Sequence, residues 1–209
     1  MGMFSKAEAD RIAVVVSEVE QRTAGEIVVA EVPSSDDYGE VRLFCTLMVG
    51  LLAGAAAHVA WAALPVGAVL AIQFGGGLTA WLATGSRSLL RLMLPRRRAQ
   101  LAVGRAAELA FLEYGVFATR DRTGVLIFLS ELEHRVVILG DKGIHARVQD
   151  PGWSALVALL VQAIKERRAA DGVCEVITKL GETLARDAPV LPDDTNELPN
   201  HVRGSSHVP

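Results

Sequence analysis

Residues 43–83 read LFCTLMVGLLAGAAAHVAWAALPVGAVLAIQFGGGLTAWLA, a run without a single Asp, Glu, Lys or Arg. An α-helix crosses a bilayer with about 20 apolar residues, so a stretch of this length suffices for two crossings. Leu64-Pro65-Val66-Gly67 interrupts it near the middle, where proline withdraws an amide donor and glycine loosens the backbone. The pattern predicts a helical hairpin, Leu43 to Leu64 and Val66 to Ala83. Trp61 beside the turn and Trp81 near the far end fall at the depths where amphipathic rings favour a membrane interface. A soluble helix pair would need a charged face, and neither helix has one. Small residues four apart, as in Gly50-Leu51-Leu52-Ala53-Gly54, allow close packing of the two helices on each other or, in a homo-oligomer, on a second copy. His58 and Gln73 are the strongly polar side chains of the run.

The flanks set an orientation. Arg42 precedes the first helix, Arg87, Arg91, Arg96, Arg97, Arg98 and Arg105 follow the second, and the turn carries no Lys or Arg. By the positive-inside rule both flanks face the cytoplasm, which places the chain in the inner (plasma) membrane with both termini cytoplasmic. The lipid bilayer is thus its first partner, and Arg96, Arg97 and Arg98 are candidates for binding anionic lipid head groups. The segment Met1 to Gln21 carries Lys6, Glu8, Asp10, Arg11, Glu18 and Glu20 where a signal peptide would need an apolar core. A formal net charge of −3 argues against nucleic acid, and no stacking aromatics accompany the arginines. Cys45 and Cys174 stand far apart in sequence and lack metal-ligand spacing, so no disulfide framework is expected.

Outward from the hairpin the patterning changes. Ser5-Lys6-Ala7-Glu8 fits a capping box, and Ile12, Val15, Val16 and Val19 continue at helical spacing. Glu26 to Val32 is a buried-strand sequence ended by Pro33-Ser34-Ser35-Asp36-Asp37. Beyond the hairpin, Pro95 opens a helix on which Leu101, Arg105, Leu109 and Leu112 mark one face. Two short apolar runs, Val125 to Leu129 and Arg135 to Leu139, are joined by Ser130-Glu131-Leu132-Glu133-His134 as adjacent strands. Asp150-Pro151 caps a helix carrying Trp153, Leu156, Leu159, Leu160, Ala163 and Ile164, and a last helix presents Val173, Val176, Ile177, Leu180 and Leu184. From Pro189 the composition turns to Pro, Asp, Asn, Ser and His, which need not fold.

The expected class is α/β, a small mixed β-sheet sandwiched by helices, with an inserted two-helix transmembrane hairpin. Residues 1–40 and 86–188 make one discontinuous domain, 41–85 the hairpin and 189–209 a flexible tail.

The catalytic inventory is sparse. The sequence holds no G-x-x-x-x-G-K-[ST], G-x-S-x-G, H-E-x-x-H or G-x-G-x-x-G, and its five histidines have no mutual metal spacing. Acidic residues do gather in turns at strand ends. Of these, Asp121, Asp141 and Asp150 are candidate ligands for Ca2+ or Mg2+, which prefer oxygen donors. Turns favour Asp in any case, and Asp150 also serves as an N-cap.

Four blocks in order resemble the TPM domain family: Thr23–Val29, Thr123–Ser130, Arg135–Ile144 and Asp194–Pro199. The likeness is to a bacterial branch in which a membrane hairpin splits the domain. It implies an α/β/α sandwich; some relatives are described as acid phosphatases or calcium binders, and plant members are linked to photosystem II repair. Gly140-Asp141-Lys142-Gly143-Ile144 and Asp150 line up with the family's glycine-rich turn and trailing acidic residue. Asp121 matches an acidic residue before the strand, whereas Arg122-Thr123 stands where many members carry an Asn pair. The expected function is a membrane-anchored TPM-like domain that scaffolds a protein partner, without classical catalytic machinery. A metal-dependent, acid-phosphatase-like hydrolase is the alternative.

Overall fold

The structure is a computed structural model and describes residues 2–145, 150–187, 189 and 197–204, at 145, 150, 151 and 187 by the backbone alone. The chain forms two compact units, residues 1–36 with 100–209, and residues 37–99.

The first unit is built on a mixed four-stranded sheet in the order β3-β2-β1-β4. Strand β1 (Glu26–Val32) runs parallel to β2 (Gly124–Ser130), with Glu26 opposite Gly124 and Val32 opposite Ser130. Strand β3 (Arg135–Gly140) returns antiparallel to β2 as the expected hairpin. A parallel pair requires a crossover, and the hairpin insertion occupies the crossover between β1 and β2. The chain must leave the sheet at that point in any case.

Both central strands are Val- and Ile-rich without polar alternation because both of their faces are covered. Ile27, Val29, Val125, Ile127 and Leu129 enter one core with α1 (Lys6–Glu20), α7 (Asp150–Lys165) and α8 (Ala169–Asp187). Val28, Ala30, Val32, Leu126 and Phe128 enter a second core on the opposite face with α5 (Arg96–Glu113). The α1 capping box forms, Ser5 N donating to Glu8 Oε2 at 2.8 Å and Glu8 N to Ser5 Oγ at 3.3 Å. All five apolar positions expected on α8 are buried.

Helix α5 lies the other way round from its sequence reading. Ala102, Val103, Ala106, Ala107 and Ala110 face the sheet, while Leu101, Arg105, Leu109 and Leu112 are exposed. The bulk needed on that face comes from Leu126 and Phe128 of the sheet, so a small-residue face allows the closer approach. Gly124 has a similar reason: a side chain there would run into the backbone of Val116, in the 3-10 turn Val116–Ala118.

Part of the segment read as a flexible tail is held against the sheet. Strand β4 (Arg203–Gly204) pairs in parallel with Ala30 and Glu31 of β1, and the Arg203 guanidinium lies 4.8 Å from the centre of the Tyr114 ring. A composition poor in apolar residues does not prevent a strand from borrowing an open sheet edge.

The second unit is an antiparallel-type hairpin of two long helices with a short third. Helix α2 spans Gly39–Ala60 and α3 spans Val66–Ala83. The first is displaced toward the N-terminus from its expected Leu43 to Leu64, because Asp37 Oδ1 accepts the Gly39 amide at 3.1 Å and Trp61 leaves helical geometry four residues before Pro65. Helix α4 (Arg87–Met93), absent from the sequence reading, follows after Thr84-Gly85-Ser86.

Candidate functional site

The second unit places its apolar side chains in reverse. Gly50, Gly54, Ala57, Gly77 and Ala80 are buried between α2 and α3, whereas Leu47, Leu52, Val59, Phe74 and Leu82 point outward. Phe74 is 76% exposed and Val59 83%. A Cβ on Gly76 would approach the Ala53 Cβ to 2.9 Å, and one on Gly50 the Gln73 carbonyl to 2.9 Å. The small-residue faces that sequence offered to a neighbour or to a second copy therefore meet each other within the hairpin. Gln73 packs its side chain over Gly54, and His58 is exposed toward the turn. Both helices are long and apolar enough to cross a membrane. At the end of the unit opposite the turn, the Arg42 guanidinium sits 4.4 Å from the centre of the Trp81 ring.

Of the arginines proposed for head groups, Arg96 and Arg97 are exposed on the first turn of α5. Arg98 is engaged internally, its Nε donating to Glu40 Oε1 at 2.7 Å and its guanidinium facing Tyr38.

The predicted ion site is distributed over neighbouring loops. The β3–α6 turn packs on the loop before β2, Gly143 N donating to the Arg122 carbonyl at 3.1 Å; α6 is the short helix Lys142–His145. That contact brings the Asp121 and Asp141 segments together. Asp141 is buried and accepts from its neighbour's amide, Lys142 N, at 2.7 Å, with Arg122 Nη1 at 3.4 Å from Oδ2. Asp121 is exposed, 3.8 Å from Arg120 Nε. A guanidinium thus lies beside each carboxylate. Among the described residues neither belongs to a three-ligand cluster. Asp150 opens α7, and its side chain lies outside the described part of the structure.

Two polar constellations escaped the sequence reading. At the carboxyl end of β1 and β2, Ser130 Oγ donates to Glu133 Oε2 and Ser35 N donates to Glu133 Oε1 at 3.0 Å. With its single proton committed to Glu133, Ser130 must accept from Ser35 Oγ at 2.7 Å. The network ties the β1 and β2 loops together. Beside it opens a cleft of about 270 Å³, floored by Phe4 and Ile164 and edged by Glu8, Glu131, His134 and Arg167. The carboxyl ends of parallel strands are where open α/β sheets usually place ligands. Glu31 behind this cleft accepts the Phe4 amide at 3.2 Å, and burial pushes its carboxyl upward.

At the opposite end of β1, Glu20 and Glu26 hold the returning C-terminal segment. Glu26 accepts the Glu197 amide at 3.1 Å and the Leu198 amide at 3.3 Å; Glu20 accepts Ile27 N at 2.9 Å and Asn200 Nδ2 at 2.5 Å. Burial, with the nearby Glu26 charge adding to it, pushes the Glu20 carboxyl up to about 8. Nothing local in the sequence pairs residues so distant; the one available sign was two acidic residues, Glu20 and Glu26, just before and at the start of a buried strand.

No family model matches the chain, and no curated protein matches it in sequence. Among solved structures it is similar to the NMR structure of the BA42 protein from the psychrophilic bacterium Bizionia argentinensis, with a TM-score of 0.61 and 20% identity over 97% of this chain and 95% of that one. At such identity the likeness concerns the fold alone.

Proposed function

We propose that the chain is an integral membrane protein of the inner (plasma) membrane, anchored by α2 and α3, whose TPM-like α/β unit is a cytoplasmic scaffold for a membrane or membrane-proximal protein. The observation that carries this reading is the inverted hairpin: glycines and alanines inside, leucines, valines and phenylalanines outside. In water that distribution wastes the hydrophobic effect, whereas in lipid it gives close backbone packing and an apolar perimeter. The arginine flanks and the arginine-free turn support cytoplasmic termini. The mixed apolar and charged cleft beside Ser130 supports recognition of a peptide segment, since its floor is apolar and its rim carries both signs of charge.

Topology reporters placed within Trp61–Pro65 and at the C-terminus test the anchor. A reporter in the turn on the periplasmic side and one at the C-terminus in the cytoplasm are expected; a cytoplasmic turn would overturn the arrangement. Co-purification in mild detergent, with Arg167→Glu as the cleft variant, tests the scaffold: a specific partner lost with the variant supports it. Phosphomonoester turnover that disappears in Asp141→Asn would replace the scaffold with the hydrolase reading.

A further inference from the structure

Helix α4 is too short to be stable by itself in water, yet it shows water a distinctly apolar surface. Leu90 and Leu94 turn inward and are buried. Leu89, Leu92 and Met93 face outward, and Leu92 is 81% exposed. Arg87 and Arg91, four apart and so on one side of the helix, are exposed along a different flank. With 100° per residue, Leu92 stands roughly opposite the buried Leu90–Leu94 edge, the arginines to one side of that edge and Leu89 and Met93 to the other. The outer surface is therefore divided into an apolar strip and a cationic strip.

The apolar strip does not stand alone. Only Thr84-Gly85-Ser86 separates α4 from the end of α3, where Trp81 and Leu82 are exposed. Trp81 carries Arg42 over its ring, a pairing of amphipathic ring and cation suited to head-group depth. Arg98, assigned to lipid by sequence, spends its guanidinium on Glu40 and Tyr38 instead.

We propose that α4 is a third membrane-contact element, lying in the interface of an anionic bilayer with Leu89, Leu92 and Met93 at the head-group and acyl boundary and Arg87 and Arg91 beside lipid phosphates. The assignment rests on the membrane reading of α2 and α3. An amphipathic helix with cations on its polar side takes this position because the bilayer boundary satisfies both strips at once, and long arginine side chains reach back to the phosphates.

The test uses the full chain with Cys45→Ser and Cys174→Ser, spin-labelled at a single introduced cysteine: Leu92→Cys in α4, Phe74→Cys midway along α3, or Val14→Cys on the exposed side of α1. Each is reconstituted in vesicles of phosphatidylcholine alone or mixed with phosphatidylglycerol, and collision with oxygen and with a water-soluble nickel chelate is compared. Position 74 is expected to favour oxygen and position 14 nickel. Position 92 is expected between them in the mixed vesicles, shifting toward the value at 14 in phosphatidylcholine alone and in the Arg87→Gln/Arg91→Gln variant. If 74 lies in hydrocarbon while 92 matches 14, the interfacial helix is refuted and the membrane anchor stands. If 74 itself matches 14, the anchor fails and α4 with it. An intermediate depth at 92 that ignores both lipid charge and the arginine changes would overturn the anionic preference.

Discussion

The two units of this chain bury opposite things. In the α/β unit Phe128, Leu126, Ile127 and Leu129 are wholly enclosed, and the sheet is covered on both faces. In the hairpin the enclosed residues are Gly50, Gly54 and Gly77, and the large apolar side chains form the outside. The same residue types thus sit on opposite sides of their own packing, the distribution that the proposed change of solvent from water to lipid would produce. Water drives bulk inward, while lipid, as apolar as leucine, leaves backbone approach as the main source of helix association.

The largest expected break in this contrast is a paired truncation. Phe128→Ala should cost about 3–5 kcal/mol, the transfer of a buried ring plus the cavity left behind. Phe74→Ala, on the hairpin surface, should stay within about 0.5 kcal/mol. Unfolding followed by circular dichroism in detergent micelles reads both, and equal losses would dissolve the distinction.

Adjacent glycines sharpen it next. Gly76→Leu must push against the Ala53 Cβ and should lower hairpin stability by about 1–3 kcal/mol, whereas a Cβ at Gly75 meets nothing within 4 Å and Gly75→Leu should be tolerated. Thermal midpoints in micelles distinguish them; a penalty at both positions would mean that the inward face has been assigned to the wrong glycines.

Glu20 offers a break by pH within the α/β unit. Its folded carboxyl is raised from 4.5 to about 8, so the folded chain keeps a proton that the unfolded chain has released. This group's contribution to stability is full below about 4.5, declines as pH rises, and is lost once pH passes about 8. Glu20→Gln should flatten that interval and leave the variant the more stable form at alkaline pH. Unfolding titrations across the interval would show an unchanged slope if burial of Glu20 were not the cause.

The smallest effect concerns a local cap. Ser5→Ala removes the hydroxyl that receives the Glu8 amide and should cost about 1 kcal/mol, measured as a shift of the unfolding midpoint of the α/β unit.

Much of this was legible from residue spacing. The α1 cap, β1, the β2–β3 hairpin, the buried face of α8 and the two apolar helices each rest on patterns confined to a few turns or one strand. The orientation of α5 was not legible, because its alanine face and its leucine face both recur at helical spacing and only the bulk of Phe128 across the interface selects between them. Helix α4 was hidden by its shortness and its arginines. The candidate site was least legible: Asp121 and Asp141 are neighbours by virtue of the turn packing, but the cation beside Asp141 is Arg122. The cleft draws on Phe4, Ser130 and Ile164, which no local pattern connects.

Sequence alone determined the elements whose reasons are local: helix period, strand composition, caps, and an uncharged run too long for one crossing and interrupted by proline. Tertiary structure alone decided which glycines face inward, which side of α5 meets the sheet, and that residues 197–204 return to β1 through Glu20, Glu26 and the open strand edge. The physical reason is that burial and long-range hydrogen bonds belong to pairs of surfaces, and a sequence records each surface without its partner.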